Sequence, residues 1–181
     1  MKSYLNHLCS LLFASGLFCP FACMSCKGIM TDDIDTSTVV NFDVNRFMGR
    51  WYEICRYDHR FERGMTHVTA DYSLLPDGKI KVVNRGIKEG KHKESVGKAR
   101  QPNPVEYPGR LKVSFFLWFY SDYYVLEIDD DYQYAVIGSS SGDYLWILSR
   151  TPQMPEDVED LLLGRIADRG YDLEKLMWIE Q

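Results

Sequence analysis

The sequence predicts an all-β protein: an eight-stranded antiparallel up-and-down barrel with one C-terminal α-helix packed outside it and a short final strand. Three observations carry this. Eight short runs between Trp51 and Ser149 alternate apolar and polar residues with period two, turn residues join neighbouring runs too tightly for helical crossovers, and one 3.6-residue apolar stripe follows them. A length of 181 residues suits one domain with an extension, and 45% hydrophobic with 14% aromatic residues excludes a disordered chain. A formal net charge of −5 argues against nucleic acid as a partner.

The N-terminus reads differently from the body. No charge lies between Lys2 and Lys27, and the apolar run Leu8–Phe21 follows a weakly basic start, which is signal-peptide architecture. Gly16 and Pro20 interrupt the run before the roughly 20 residues that a membrane-crossing helix needs. Cys9, Cys19, Cys23 and Cys26 lie in or just after it, leaving Cys55 alone in the body, so the fold stands without an internal disulfide. Ala22-Cys23 and Ser25-Cys26 each set a small residue before a cysteine and resemble the bacterial lipoprotein cleavage box; Cys26 is the favoured acyl acceptor and Cys23 the alternative. Residues 1–25 are thus read as a lipoprotein signal peptide, 26–40 as a flexible tether with the acidic stretch Thr31–Thr38, and 41–181 as the domain.

Within the domain the strand runs are 51–57, 68–75, 80–85, 93–99, 110–115, 123–128, 132–137 and 144–149. Pro76-Asp77-Gly78, Asp129–Asp131 and Ser141-Gly142 supply turns. Eight such strands expose edges unless the sheet closes, and a closed barrel of eight is the size that encloses one small ligand; a two-sheet sandwich is the competing architecture. Small residues at Ser95, Gly97 and Ala99 on one face of the fourth run favour a hollow barrel. Val158, Leu161, Leu162 and Ile166 then form a helical stripe, opened by Pro155 and closed by Gly170, and Leu176–Ile179 reads as the last strand.

Alternation turns Glu53, Cys55, Tyr57, Ala70, Tyr72, Val82, Asn84, Val113, Phe115 and Trp146 toward the lumen, and leaves the sides of Tyr123 and Tyr124 open. The connections 58–67, 86–92, 116–122 and 138–143 gather at one end. The first two carry more cations than anions, and Arg60 and Arg63 are the candidates for meeting an anionic head group. The ligand-binding set is therefore Tyr57, Arg60, Arg63, Ala70, Tyr72, Val82, Asn84, Val113, Phe115 and Trp146. Phe116–Tyr120 is an unbroken apolar run where a loop should be polar, suited to lipid or partner contact or to folding inward as a lid. His59, His67 and His92 lack metal-ligand spacing, and no cofactor motif is present.

Three motifs in order give a family resemblance: Gly49-Arg50-Trp51 before the first strand, Asp122-Tyr123, and Ser149-Arg150-Thr151-Pro152 after the last. Together they resemble the lipocalins, and Arg56–Gly64, Lys112–Phe116 and Asp143–Pro152 are similar to the bacterial outer-membrane, apolipoprotein D-like branch. The resemblance implies a lipid-anchored protein that binds, stores or transports a fatty acid or lysophospholipid. It also implies a closed end built on Gly49, Trp51 and Arg150, where the guanidinium covers the indole. Its partners would be that small lipid and the membrane through acyl chains, with a homodimer left open. Two other function classes stand beside the carrier: an anchored interaction module using the aromatic loop, and a lipid isomerase with Cys55 as nucleophile, which would need a nearby base. The chain is read as a non-enzyme.

Overall fold

The computed structural model describes residues 34–181. The expected signal peptide and the expected acyl acceptors Cys26 and Cys23 lie outside the described residues. A short helix α1 (Val44–Phe47) precedes strands β1 (Gly49–Tyr57), β2 (Met65–Leu74), β3 (Ile80–Lys88), β4 (Lys91–Arg100), β5 (Arg110–Phe116), β6 (Phe119–Ile128), β7 (Tyr134–Gly138) and β8 (Leu145–Ser149). Helix α2 (Glu156–Asp168), a 3₁₀ turn (Leu173–Lys175) and β9 (Leu176–Trp178) complete the chain. Each strand pairs antiparallel with the next, and β1 pairs with both β8 and β2, which closes the ring of eight.

Closure is uneven in two places. β2 meets β1 only over Gly49–Tyr52; above that, β9 pairs with Cys55–Tyr57 outside the ring. The tail then bridges the separated strands: the His67 N–H donates to Glu180 O (2.6 Å), and the Gln181 amide donates to Glu53 O (2.6 Å) and Val68 O (3.0 Å). β4 pairs with β5 only over Lys98–Arg100, so the upper β4 carries a run of exposed residues from Lys91 to Val96. Gly97, one of the small residues expected to leave volume, instead makes room for Phe115: a Cβ there would lie 2.7 Å from that ring.

Two apolar layers share the wall. The inner one includes Phe47, Trp51, Tyr72, Val82, Leu111, Val125 and Ile137; the outer one places Cys55, Tyr57, Leu126, Val136 and Ile147 beneath Leu162 and Ile166 of α2. The helix meets the sheet through Val158, Leu162, Leu163 and Ile166, whereas Leu161, expected in that stripe, is 53% exposed. Three acidic residues in its first turn, Glu156, Asp157 and Glu159, complement the positive end of the helix in place of a side-chain cap.

The second half of the expected flexible tether is held in place. The Asp35 N–H donates to Arg169 O (2.9 Å), the Val39 N–H to Val125 O (3.0 Å), and the Arg169 guanidinium donates to Ser37 O (3.0 Å) while pairing with Glu127 (2.7 Å). Arg169 thereby supplies donors that a polar segment of low apolar content would otherwise have to find in water.

One irregularity decides which residues face the lumen. Glu53 pairs with Leu148 and Cys55 with Ile147, so Ile54 is an extra residue in β1, a β-bulge. It reverses the alternation of everything after it. Cys55 and Tyr57, expected inside, sit in the outer layer, and Arg56 turns inward opposite Trp146.

Candidate functional site

At one end the barrel is stoppered. Gly49 adopts φ +97°, a left-handed conformation, and a Cβ there would approach Arg150 Nη1 to 3.3 Å. Trp51 is fully buried, stacks within 4.9 Å of Phe47 and donates its indole N–H to Phe47 O (2.8 Å). The Arg150 guanidinium lies 3.8 Å from the indole centroid and donates to Arg50 O and Arg46 O (2.8 Å each) and Tyr132 O (3.1 Å). One side chain thus ties three strand ends and loops to the plug.

Above the plug the lumen is hollow, with a cavity of about 810 Å³. Of the sequence-predicted residues, Ala70 and Tyr72 from β2, Val82 and Asn84 from β3, Val113 and Phe115 from β5, and Trp146 from β8 line it. The volume falls in the range of small-molecule sites, and the wall is largely apolar with a few polar groups. Tyr123, whose side the alternation left open, points inward and shares a hydroxyl–hydroxyl hydrogen bond with Tyr72 (2.8 Å); Tyr124 packs in the outer layer. Burial raises both phenols well above their ordinary value, so the pair stays neutral and can give or accept one further hydrogen bond. Asn84 Oδ1 is buried and has no partner among the described residues, which leaves an acceptor on the wall for a ligand donor.

Three expected lining residues are elsewhere. Tyr57 donates its hydroxyl to Asp172 O (2.9 Å) on the outer face, as the bulge dictates. Arg63 is exposed and spent on Asp58 (2.7 Å), and Arg60 is exposed on the β1–β2 connection without reaching the cavity. The cations that do line it are Lys88, Lys93 and Lys112, the last paired with Asp122.

The inward turn of Arg56 builds a buried polar cluster that sequence reasoning missed. Arg56 pairs with Glu53 and donates to Glu62 O (2.7 Å); His59 Nε2 lies 3.0 Å from Glu62 Oε2, and Trp146 Nε1 donates to the same oxygen (3.2 Å). Glu53 and Glu62 both reach the cavity. Burial, reinforced by the Glu62 carboxylate, raises Glu53 well above the usual carboxylate range despite the Arg56 contact. Only the i, i+3 spacings of Glu53–Arg56 and His59–Glu62 hinted at this, and strand alternation alone would have separated those partners.

Cys55 has the opposite surroundings. It lies under α2 on the outer face, away from the cavity, and burial raises its thiol far above the ordinary value, with Glu159 and Glu53 acting in the same direction. His59, four residues further along the chain, stacks on Phe61 and faces Trp146 on the other side of the wall. Among the described residues, no group of three or more His, Cys, Asp or Glu could hold a metal ion, and no helix is long and apolar enough to cross a membrane.

The aromatic run does not fold inward. β5 extends to Phe116 and β6 begins at Phe119, so Leu117-Trp118 is a two-residue hairpin tip, and Phe116, Leu117, Trp118 and Phe119 are 67%, 55%, 72% and 65% exposed. Phe116 and Phe119 also edge the cavity entrance.

Known proteins share this arrangement. Residues 42–181 match the lipocalin-like domain family. The chain is 42% identical over 170 residues to the outer membrane lipoprotein Blc of Escherichia coli K12, covering 93% of each, and 40% identical over 155 residues to temperature-induced lipocalin-1 of Arabidopsis thaliana, covering 81% of this chain and 83% of that one. Mouse apolipoprotein D is 35% identical over 150 residues, covering 78% of each chain. The fold is similar to that of insecticyanin from the tobacco hornworm Manduca sexta, with a TM-score of 0.69 at 20% identity over 82% of this chain and 86% of that one. The bacterial relatives are named as outer membrane lipoproteins. A match spanning the domain from end to end, and high identity over nearly the whole of a relative, agree with the plugged, hollow barrel on one conclusion: this chain belongs to the lipocalin family.

Proposed function

We propose that the protein binds and carries a single-chain amphiphile, a lysophospholipid or fatty acid, during upkeep of the outer membrane, tethered through acyl chains on Cys26 or, alternatively, Cys23. The observation that carries this reading is the cavity of about 810 Å³, closed below by Trp51 and edged above by both charged and aromatic residues. The mechanism is reversible burial and not turnover. Each buried methylene is worth about 0.8 kcal/mol, so a chain of roughly twelve to sixteen carbons offers on the order of 10 kcal/mol before ordering costs, enough for micromolar binding. Asn84 and the Tyr72–Tyr123 pair offer hydrogen bonds within the wall, and Lys88 and Lys93 stand at its rim for an anionic head.

The test is a titration of tryptophan fluorescence with monomeric lysophospholipid, alongside native mass spectrometry of protein extracted from its membrane. A saturable change and a co-purified lipid are expected, and Ala70→Trp, which fills the cavity, should weaken binding by about a hundredfold. A folded protein without a saturable response, or unchanged binding in that variant, removes the carrier reading.

A further inference from the structure

We propose that the open end of the barrel is a membrane-docking face, on which the β5–β6 hairpin sinks into an anionic bilayer and holds the cavity mouth against the lipid surface. This rests on the carrier reading and adds where the cargo is exchanged.

The first observation is the hairpin. Four consecutive large apolar side chains at its tip are more than half exposed, and Phe61 on the neighbouring β1–β2 connection is 62% exposed at the same end. Turn chemistry does not call for them: Leu117 holds φ +51°, where asparagine or glycine sits most easily. The base of the hairpin is braced, with the Arg100 guanidinium 4.9 Å from the Tyr120 ring centroid. An exposed apolar tip on a braced stalk suits insertion, whereas burial within the chain would have turned it inward.

The second is charge. Arg60, Lys88, Lys91 and Lys93 surround the mouth and make no ion pair among the described residues; Glu89 and Asp143 are exposed there and likewise unpaired, and nearby Glu94 is taken by Arg85 (2.9 Å), so cations outnumber free anions four to two. The protein as a whole carries a net charge of −5, so this cationic rim is local. Anionic head groups complement it; a second copy set mouth to mouth would face it with the same charges.

The third is where the chain leaves the fold. Ile34 packs on the β7–β8 connection at the mouth, so close that a side chain on Gly142 would collide with it, at 2.6 Å. Cys26 precedes Ile34 by eight residues, which reach at most about 28 Å when extended, and Cys23 adds only about 10 Å. The described chain therefore enters the fold from the open end, and either cysteine lies within that reach of Ile34. Chain entry, aromatic tip and basic rim share that end, and Phe116 and Phe119 continue from the tip into the cavity entrance. An amphiphile can then pass from bilayer to barrel along an apolar path.

The experiment uses the full acylated chain in vesicles of phosphatidylethanolamine and phosphatidylglycerol whose acyl chains carry bromine at defined depths. Tryptophan emission should shift to the blue and be quenched by shallow bromines, and Trp118→Phe should abolish that component. Leu117→Asp/Trp118→Asp should slow removal of lysophospholipid from the vesicles by about tenfold or more, with affinity for monomeric lysophospholipid in vesicle-free solution unchanged. Unquenched Trp118 emission, or wild-type transfer by the double variant, overturns the proposal. So does a dimer in sedimentation that the double variant dissociates, which would assign the tip to a second copy. If monomeric lysophospholipid does not bind even the wild type, the carrier reading falls, while the quenching still decides docking.

Discussion

Replacing Trp51 with alanine tests the plug. The indole is fully buried, 4.9 Å from the Phe47 ring and 3.8 Å beneath the Arg150 guanidinium, and its N–H satisfies Phe47 O. Truncating a buried aromatic to alanine costs about 3–5 kcal/mol, and the lost cation–π contact, worth about 0.5–2 kcal/mol, falls partly within that figure. At this chain length each kcal/mol moves Tm by roughly 2–4 °C, so a fall of about 10 °C is expected. Far-UV circular dichroism during heating and guanidinium unfolding measures both quantities on one sample. Trp51 does not line the cavity, so lysophospholipid affinity of the folded fraction should change by less than about threefold. A Tm within about 2 °C of wild type would falsify the plug argument; a large loss of affinity with stability intact would instead make Trp51 part of the binding site.

Three further outcomes follow from single contacts. Arg150→Lys keeps the charge but not the fork, leaving some of the carbonyls of Arg46, Arg50 and Tyr132 unpaired, and should lose about 1–3 kcal/mol in denaturant unfolding; an unchanged midpoint rejects the clamp. Glu53 is raised by burial to about 8, so the folded protein keeps a proton that the unfolded chain releases above about 4.5; its stabilising effect is complete below that pH and is lost as pH climbs toward 8. Glu53→Gln should flatten that slope in stability measured across pH 4.5 to 8, and a slope identical to wild type would mean another group titrates there. Cys55→Ser should cost about 1–2 kcal/mol of stability, because a hydroxyl replaces a thiol beneath α2, while leaving lysophospholipid affinity within about twofold; loss of a turnover activity specifically in this variant would revive the isomerase.

Much of the architecture was legible because it is written in short-range patterns. Period-two runs marked all eight strands, Asp77-Gly78 and Asp129–Asp131 marked their turns, and the Val158, Leu162 and Ile166 spacing marked the face of α2 that is buried. The aromatic run at 116–120 was visible for the same reason, although only the coordinates show that its tip points outward. Seven of the ten residues proposed for ligand contact line the cavity: Ala70, Tyr72, Val82, Asn84 and Trp146 lie where strand pairing is regular, and Phe115 reaches it from within the β5 bulge that follows Val113.

By itself, then, the sequence determined the number and order of the strands, the one long helix and the composition of the two ends, since each depends on neighbours a few positions apart along the chain, whereas the short α1 and the 3₁₀ turn were not read from it. Tertiary structure alone decided which way Arg56, Cys55 and Tyr57 face, that the tail bridges β1 and β2, and that Arg63 is held by Asp58 and kept from the cavity. The reason is physical: inserting Ile54 changes which backbone groups on β8 meet those of β1, and that choice is made by hydrogen bonding between strands almost a hundred residues apart, where a slip of one position exchanges inside for outside.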